Sequence, residues 1–122
     1  MKKLKPVIKW SGSKRSQAEQ ILQFVPPEVE TYIEPFVGGG SILGALMVSE
    51  DHKVKEYQIS DYNETLIGLW NAIKDNPEEL HYHYKDLWIP LHKAVSIDDK
   101  KVVYNSMRSR LNEFKNPMDF MF

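Results

Sequence analysis

Cysteine is absent from the 122 residues. That excludes a disulfide framework, a Cys-ligated zinc site, an iron–sulfur cluster and a thiol nucleophile. No apolar run approaches the roughly 20 residues that a bilayer span needs. The basic start, Met1 to Pro6, is not followed by a long apolar segment, so it does not read as a secretory signal. The chain is therefore expected to be soluble and cytoplasmic. An excess of one charge sign is also lacking: 16 basic residues face 17 acidic ones, for a formal net charge of -1. Any contact with nucleic acid must then come from a local basic patch. There is no internal repeat and no low-complexity segment. Glycine is scarce, with six residues, yet three of them are consecutive. A chain of 122 residues is long enough for one domain with a core of its own, without metal or disulfide staples.

The chain opens on a basic cluster, Lys2, Lys3, Lys5, Lys9, Lys14 and Arg15. The spacing of Ala18, Ile21, Leu22 and Val25 then predicts a helix over 13–25, capped by Ser11 or Ser13 and ended by Pro26-Pro27. Residues 31–36 are rich in β-branched and aromatic residues and predict a strand. After Gly38, Gly39 and Gly40, residues 41–48 are apolar nearly all round, as in a buried helix. Residues 55–60 predict a second strand, ending at Asp61-Tyr62-Asn63. Helices follow: one capped by Asn63, one started by Asn76-Pro77 and broken at Trp88-Ile89-Pro90, and one over 98–114 with Val102, Val103, Met107 and Leu111 on one side. Residues 116–122 begin a further apolar element. The fold class is thus α/β, with one βαβ unit followed by helices. A parallel pairing of its strands would be right-handed. Sheets usually hold about 4–6 strands, so two point to the front part of something larger.

Three segments carry chemistry. The first is "EPFVGGGS", Glu34 to Ser41, between the first strand and its helix. Glycines there permit a tight turn and the close approach of a ligand, and the helix start offers free N–H groups. It is neither the spaced dinucleotide fingerprint nor a P-loop. It reads either as a nucleotide or cofactor turn or as a plain βα turn. The second is Asp61, about 20 residues beyond Gly40, where an acidic residue accepts ribose hydroxyls in doubly wound folds. Its other reading is a helix cap shared with Asn63. The third is Lys9 to Lys14, in which Trp10 offers a flat face, Gly12 a turn and Lys14 a cation. Stacking and charge pairing with a ligand compete there with a tryptophan buried at a helix entry. Glu34 fits either a cofactor rim or a strand end. His81, His83 and His92 have no metal-ligand spacing. Tyr82, Tyr84, Trp88 and Trp70 fit ordinary helix packing better than a base-stacking platform.

Together these segments resemble the DNA adenine-N6 methyltransferases, the Dam-like family and its restriction–modification relatives. "PVIKWSGSK", from Pro6 to Lys14, looks like the family's N-terminal cofactor motif, and "EPFVGGGS" like its methyl-donor motif. "ISDYN", from Ile59 to Asn63, resembles the acidic motif that follows. Tyr104 to Phe114 is similar to its helical Tyr-x-x-x-Arg segment. The resemblance runs through essentially the whole chain, in the family's order. It implies an incomplete Rossmann-like methyltransferase domain over 1–76, binding S-adenosylmethionine, and over 77–122 the truncated start of a target-recognition region. It implies that Trp10 and Lys14 contact the methionine end of the cofactor, that Phe36, Gly38, Gly39 and Gly40 line its turn, and that Asp61 holds its ribose.

The family's catalytic Asp-Pro-Pro-Tyr is absent, and Pro26-Pro27 is not that motif. The chain is therefore expected to be the cofactor-binding front part of an adenine-specific enzyme, inactive alone, with no catalytic residue and no metal site. The alternative is a non-catalytic module that binds cofactor or DNA, or oligomerises. An unrelated helical interaction protein with an incidental glycine turn is a third reading. The expected partners are double-stranded DNA, met weakly through the N-terminal lysines and Lys100, Lys101, Arg108 and Arg110, and either a second copy or a missing C-terminal half. No membrane is expected.

Overall fold

The computed structural model describes Leu4 and residues 8–121. Lys2, Lys3 and Lys5 of the basic cluster, and Pro6-Val7 of the first motif, lie outside the described residues. The chain divides into two compact units, 1–62 and 63–122.

The N-terminal unit holds α1 (Ala18–Leu22), β1 (Glu28–Glu34), α2 (Ser41–Met47) and β2 (Lys53–Ile59). The two strands pair in parallel from Glu28 opposite Lys53 to Glu34 opposite Ile59. The connection between them is α2, so β1, α2 and β2 form the expected βαβ unit. Ala18 and Leu22 of α1 and Leu43 and Leu46 of α2 recur on one face each, and these faces pack together with buried Ile8 and Val37. Burying a leucine in full is worth about 1.5–3 kcal/mol, so this cluster is the main apolar stabilisation of the unit. His52 ties it from outside. Its Nε2 lies 3.1 and 3.2 Å from the Leu22 and Val25 carbonyls, and its Nδ1 lies 2.7 Å from Ser49 Oγ. These carbonyls at the end of α1 are thereby satisfied without continuing the helix.

The expected first helix is shortened. Arg15–Gln17 is a 3-10 turn, α1 spans only Ala18–Leu22, and neither Ser11 nor Ser13 caps it. The reason lies in the tertiary structure: Ser13 Oγ is hydrogen-bonded to Ser41 Oγ at the start of α2. Both strands begin earlier than expected, at Glu28 and Lys53, and β1 stops before Pro35, which has no N–H for the ladder. Helix α2 is not buried all round. Leu43 and Leu46 are buried, whereas Met47 is 61% exposed.

The C-terminal unit holds α3 (Glu64–Asp75), α4 (Pro77–Lys93), α5 (Ile97–Phe114) and a 3-10 turn over Pro117–Met121. Asn63 caps α3, its side chain accepting from Leu66 N, and Pro77 occupies the first turn of α4. The expected break at Trp88-Ile89-Pro90 does not occur. Helix α4 runs through Pro90 to Lys93 and forgoes the one bond that Pro90 has no N–H to donate. Ser96 caps α5 through Asp99 N at 3.0 Å. On α5, Val103, Met107 and Leu111 are half-buried while Val102 is 69% exposed, so the inward stripe omits Val102.

The C-terminal turn packs against α3, α4 and α5. A Cβ on Gly68 of α3 would lie 2.5 Å from Pro117 Cγ, so this mid-helix glycine is what lets the turn approach. Leu66 and Leu69, with no exposure, and buried Ala72, Leu80 and Leu87 complete this core. Helix α3 belongs to this unit because it packs with α4 and the terminal turn.

Candidate functional site

The site lies at the carboxyl ends of the two parallel strands, the edge at which open α/β sheets bind ligands. Beyond Glu34 the chain does not leave its partner strand. Ser60 N donates to Glu34 O at 3.0 Å, Val37 N donates to Ser60 O at 3.0 Å, and Ser60 Oγ donates to Pro35 O at 3.1 Å. The glycine turn is thereby anchored to the end of β2. Gly40 N closes it on Val37 O at 2.8 Å. Gly38 and Gly40 have φ of 50° and 67°, the left-handed region that L side chains rarely adopt.

Asp61 completes this anchorage. Its Oδ2 accepts from Gly38 N at 3.0 Å. Asn63 caps the helix that follows, its Oδ1 accepting from Leu66 N at 3.1 Å.

Trp10 lies over the turn. A Cβ on Gly38 would stand 2.9 Å from Trp10 Cδ1, and one on Gly39 would stand 2.9 Å from Trp10 Cβ and 3.3 Å from the Ile8 carbonyl. The freedom of these two glycines is therefore used, at least in part, by the protein's own tryptophan. From Trp10 the chain turns at Gly12, whose φ is 74°. Lys14 Nζ donates to Gly12 O at 2.9 Å, which folds the loop 10–14 back on itself. The Ser13–Ser41 hydrogen bond then ties that loop to the start of α2.

These elements enclose a cavity of about 240 Å³. Of the seven residues expected to bind cofactor, Trp10, Lys14, Phe36, Gly38, Gly39 and Asp61 line it. Gly40 does not; it is the left-handed residue that starts α2. Phe36 is 84% exposed, a large apolar side chain held out at the rim.

Glu34 also lines the cavity, and Tyr32 stands behind it. Tyr32 OH donates to Glu34 Oε2 at 3.1 Å. Burial pushes the Glu34 carboxyl up, while hydrogen bonds from Tyr32 and from the Leu43 backbone pull it back. Burial first, then the Glu34 charge and hydrogen bond, raise the Tyr32 phenol well above its usual range. This pair was not evident in the sequence. Its one signal was the i, i+2 spacing, which puts both side chains on one face of a strand.

A second cluster sits in the C-terminal unit. Buried Asp119 contacts His83 Nε2 at 2.6 Å through Oδ1 and Arg110 Nε at 3.1 Å through Oδ2. It ties the terminal turn to α4 and α5. His83 is half-buried, and its contact is structural. Trp88 and His92 stack at 4.3 Å on α4, one wall of an open groove shared with Tyr104, Lys100 and Lys101. Arg108 and Arg110 are exposed on α5. Among the described residues, no three His, Asp or Glu side chains gather as a metal would require. No helix of the described residues is long and apolar enough to cross a membrane.

A glycine turn and an acidic residue are thus joined at the ends of the parallel strands of a mixed α/β protein. Residues 10–121 match the D12 class N6 adenine-specific DNA methyltransferases, and the chain belongs to that family. It is 32% identical, over 95% of its length, to a type II methyltransferase of Methanocaldococcus jannaschii. It is 30% identical over 97% of its length to a DNA adenine methylase of Vibrio cholerae, and 29% identical over 96% to that of Escherichia coli K12. It spans 41%, 38% and 37% of these relatives. The chain thus corresponds to about two fifths of the length of the curated relatives it matches.

Proposed function

We propose that this chain is the cofactor-binding portion of a DNA adenine-N6 methyltransferase, with S-adenosylmethionine as its ligand. The observation that carries the reading is the bond between Gly38 N and Asp61 Oδ2. It joins two residues 23 positions apart in different motifs, beside a cavity lined by six residues of three motifs. The donor set suits the cofactor. Lys14 offers a cation for the carboxylate of an amino-acid end, and Asp61 offers carboxylate acceptors for a ribose diol. Trp10 and Phe36 offer aromatic faces. When bound, the cofactor supplies an electrophilic methyl group. The chain's own residues orient it and exclude water from it. The arrangement is an incomplete Rossmann-like half-site, to which a further stretch of polypeptide would add the Asp-Pro-Pro-Tyr motif that receives adenine.

In this reading the chain by itself binds cofactor and does not methylate. DNA is the substrate of the completed enzyme. The helices of the C-terminal unit begin its target-recognition region, with Lys100, Lys101, Arg108 and Arg110 as phosphate contacts. Such contacts are salt-sensitive and not sequence-specific. Among the described residues the two-stranded sheet has both edges open, and Phe24 and Ile33 are 87% and 61% exposed. Those features favour pairing with a second copy or with the polypeptide that completes the fold.

Calorimetric titration with S-adenosylmethionine and with its demethylated product tests the reading, beside Asp61→Asn and Trp10→Ala. Saturable binding, weakened in both variants, is expected. A folded chain that binds neither compound refutes the cofactor site.

A further inference from the structure

Three charged side chains line the cavity: Lys14, Glu34 and Asp61. Asp61 accepts from the glycine turn and Lys14 donates to the Gly12 carbonyl, so both also serve the loops that carry them. Glu34 is held differently. It ends β1, and two donors approach its carboxylate from two elements: the Tyr32 hydroxyl at 3.1 Å and the backbone of Leu43 in α2. A carboxylate offers about four acceptor positions, so these two bonds orient it without exhausting it.

Tyr32 is itself fixed. It stands opposite Tyr57 in the strand register, and the rings meet edge to face, with centroids 6.1 Å apart and planes at 65°. Such pairs constrain ring orientation as well as burying area. A rigid ring thus presents its hydroxyl to a half-buried carboxylate at the wall of the cavity.

We infer that Tyr32 is a positioning residue for Glu34, holding its carboxylate aimed into the cavity to take the ammonium group of a zwitterionic amino-acid end. The inference rests on the proposed cofactor reading. The physical reason is that burial opposes the charge on Glu34 and a phenolic donor offsets that opposition. The groups against Glu34 are Tyr32 on its own strand and the Leu43 backbone on α2, and the other charged residues lining the cavity are Lys14 and Asp61. Tyr57, on β2, faces Tyr32.

Two readouts on the 122-residue chain test it. Carbon NMR titration of the Glu34 carboxyl in ligand-free protein reads the hydrogen bond directly. Calorimetric binding of the demethylated product, S-adenosylhomocysteine, between roughly pH 5 and 8 reads its use. Tyr32→Phe keeps the aromatic contact and removes the donor. It is expected to raise the Glu34 midpoint, to move the acid limb of binding upward, and to weaken binding about three- to ten-fold on the alkaline side. Glu34→Gln should flatten that limb. Tyr57→Phe, which leaves the bond to Glu34 in place, should change neither readout.

An unmoved Glu34 midpoint in Tyr32→Phe overturns the positioning role. A moved midpoint with an unmoved binding limb overturns the ammonium assignment. Absence of binding by the parent chain refutes the cofactor reading, and with it the ammonium assignment, while the NMR titration still decides the Tyr32–Glu34 link. Should Tyr32→Phe not fold, Glu34→Asp, which withdraws the carboxylate from the Tyr32 hydroxyl by one methylene, is expected to weaken binding on the alkaline side. Unweakened binding there counts against the inference.

Discussion

Replacing Gly38 by alanine separates two costs that usually arrive together. The first is conformational. Gly38 has φ of 50°, and an L side chain there costs about 1–2 kcal/mol. The second is steric. The added Cβ would lie 2.9 Å from Trp10 Cδ1 and 3.2 Å from Nε1, so the indole must move. Overpacking of this kind costs about 1–3 kcal/mol. Gly38→Ala should therefore lower the unfolding free energy of the chain by about 2–5 kcal/mol, the sum of the two ranges. In a Trp10→Ala background every one of those contacts is gone, because each involves a ring atom, and only the conformational cost remains. The coupling between the two substitutions should be about 1–3 kcal/mol. Gly39 provides the control. The Cβ built on it would meet Trp10 Cβ at 2.9 Å and the Ile8 carbonyl at 3.3 Å, and both atoms persist in Trp10→Ala. Gly39→Ala should then cost about as much in either background. Urea unfolding of the four Gly38 combinations and the matching Gly39 set reads the result. Equal costs for Gly38→Ala with and without the indole would refute the claim that the turn is shaped around Trp10.

Four further outcomes follow from the same geometry. Gly68→Ala should destabilise the C-terminal unit by about 1–3 kcal/mol despite alanine's better helix propensity, since its Cβ would meet Pro117 Cγ at 2.5 Å; thermal unfolding reads this, and an unchanged or raised midpoint counts against the packing. Asp119→Ala, which removes the buried partner of His83 and Arg110, should cost about 1–3 kcal/mol in the same assay. Glu34 has a folded-state pKa raised above its ordinary 4.5. Its contribution to stability is therefore full below that value and lost as pH rises through the folded-state midpoint, and Glu34→Gln should remove this acid-side slope from a denaturation series. Light scattering should show self-association that grows with concentration, and a monomer throughout would count against the open sheet edges as an interface.

Much of the order of elements was legible in the sequence. Helical and strand periodicities, and the stops set by proline and asparagine, are local properties, so one βαβ unit followed by helices could be read directly. The motif residues were legible in the same way. "KWSGSK", "EPFVGGGS" and "ISDYN" each place a distinctive residue type beside a turn, and most of the residues read from them line one cavity. Element ends were less legible. Helix α1 begins late because Ser13 bonds to Ser41, 28 residues away, instead of capping its own helix.

What the sequence determined by itself was the local grammar: which stretches turn, which alternate, and which residues carry charge or an aromatic face. The tertiary structure decided the partners. It gave Asp61 to the Gly38 N–H, the glycine turn to Trp10, Gly68 to Pro117, and Asp119 to His83 and Arg110. It also turned Glu34 from an ambiguous strand end into a carboxylate held by Tyr32 at a cavity wall. The physical reason is the same in each case. A hydrogen bond or a close approach between distant residues depends on where the backbone brings them, and a donor, an acceptor or a missing Cβ has no local signature of the atom it will meet.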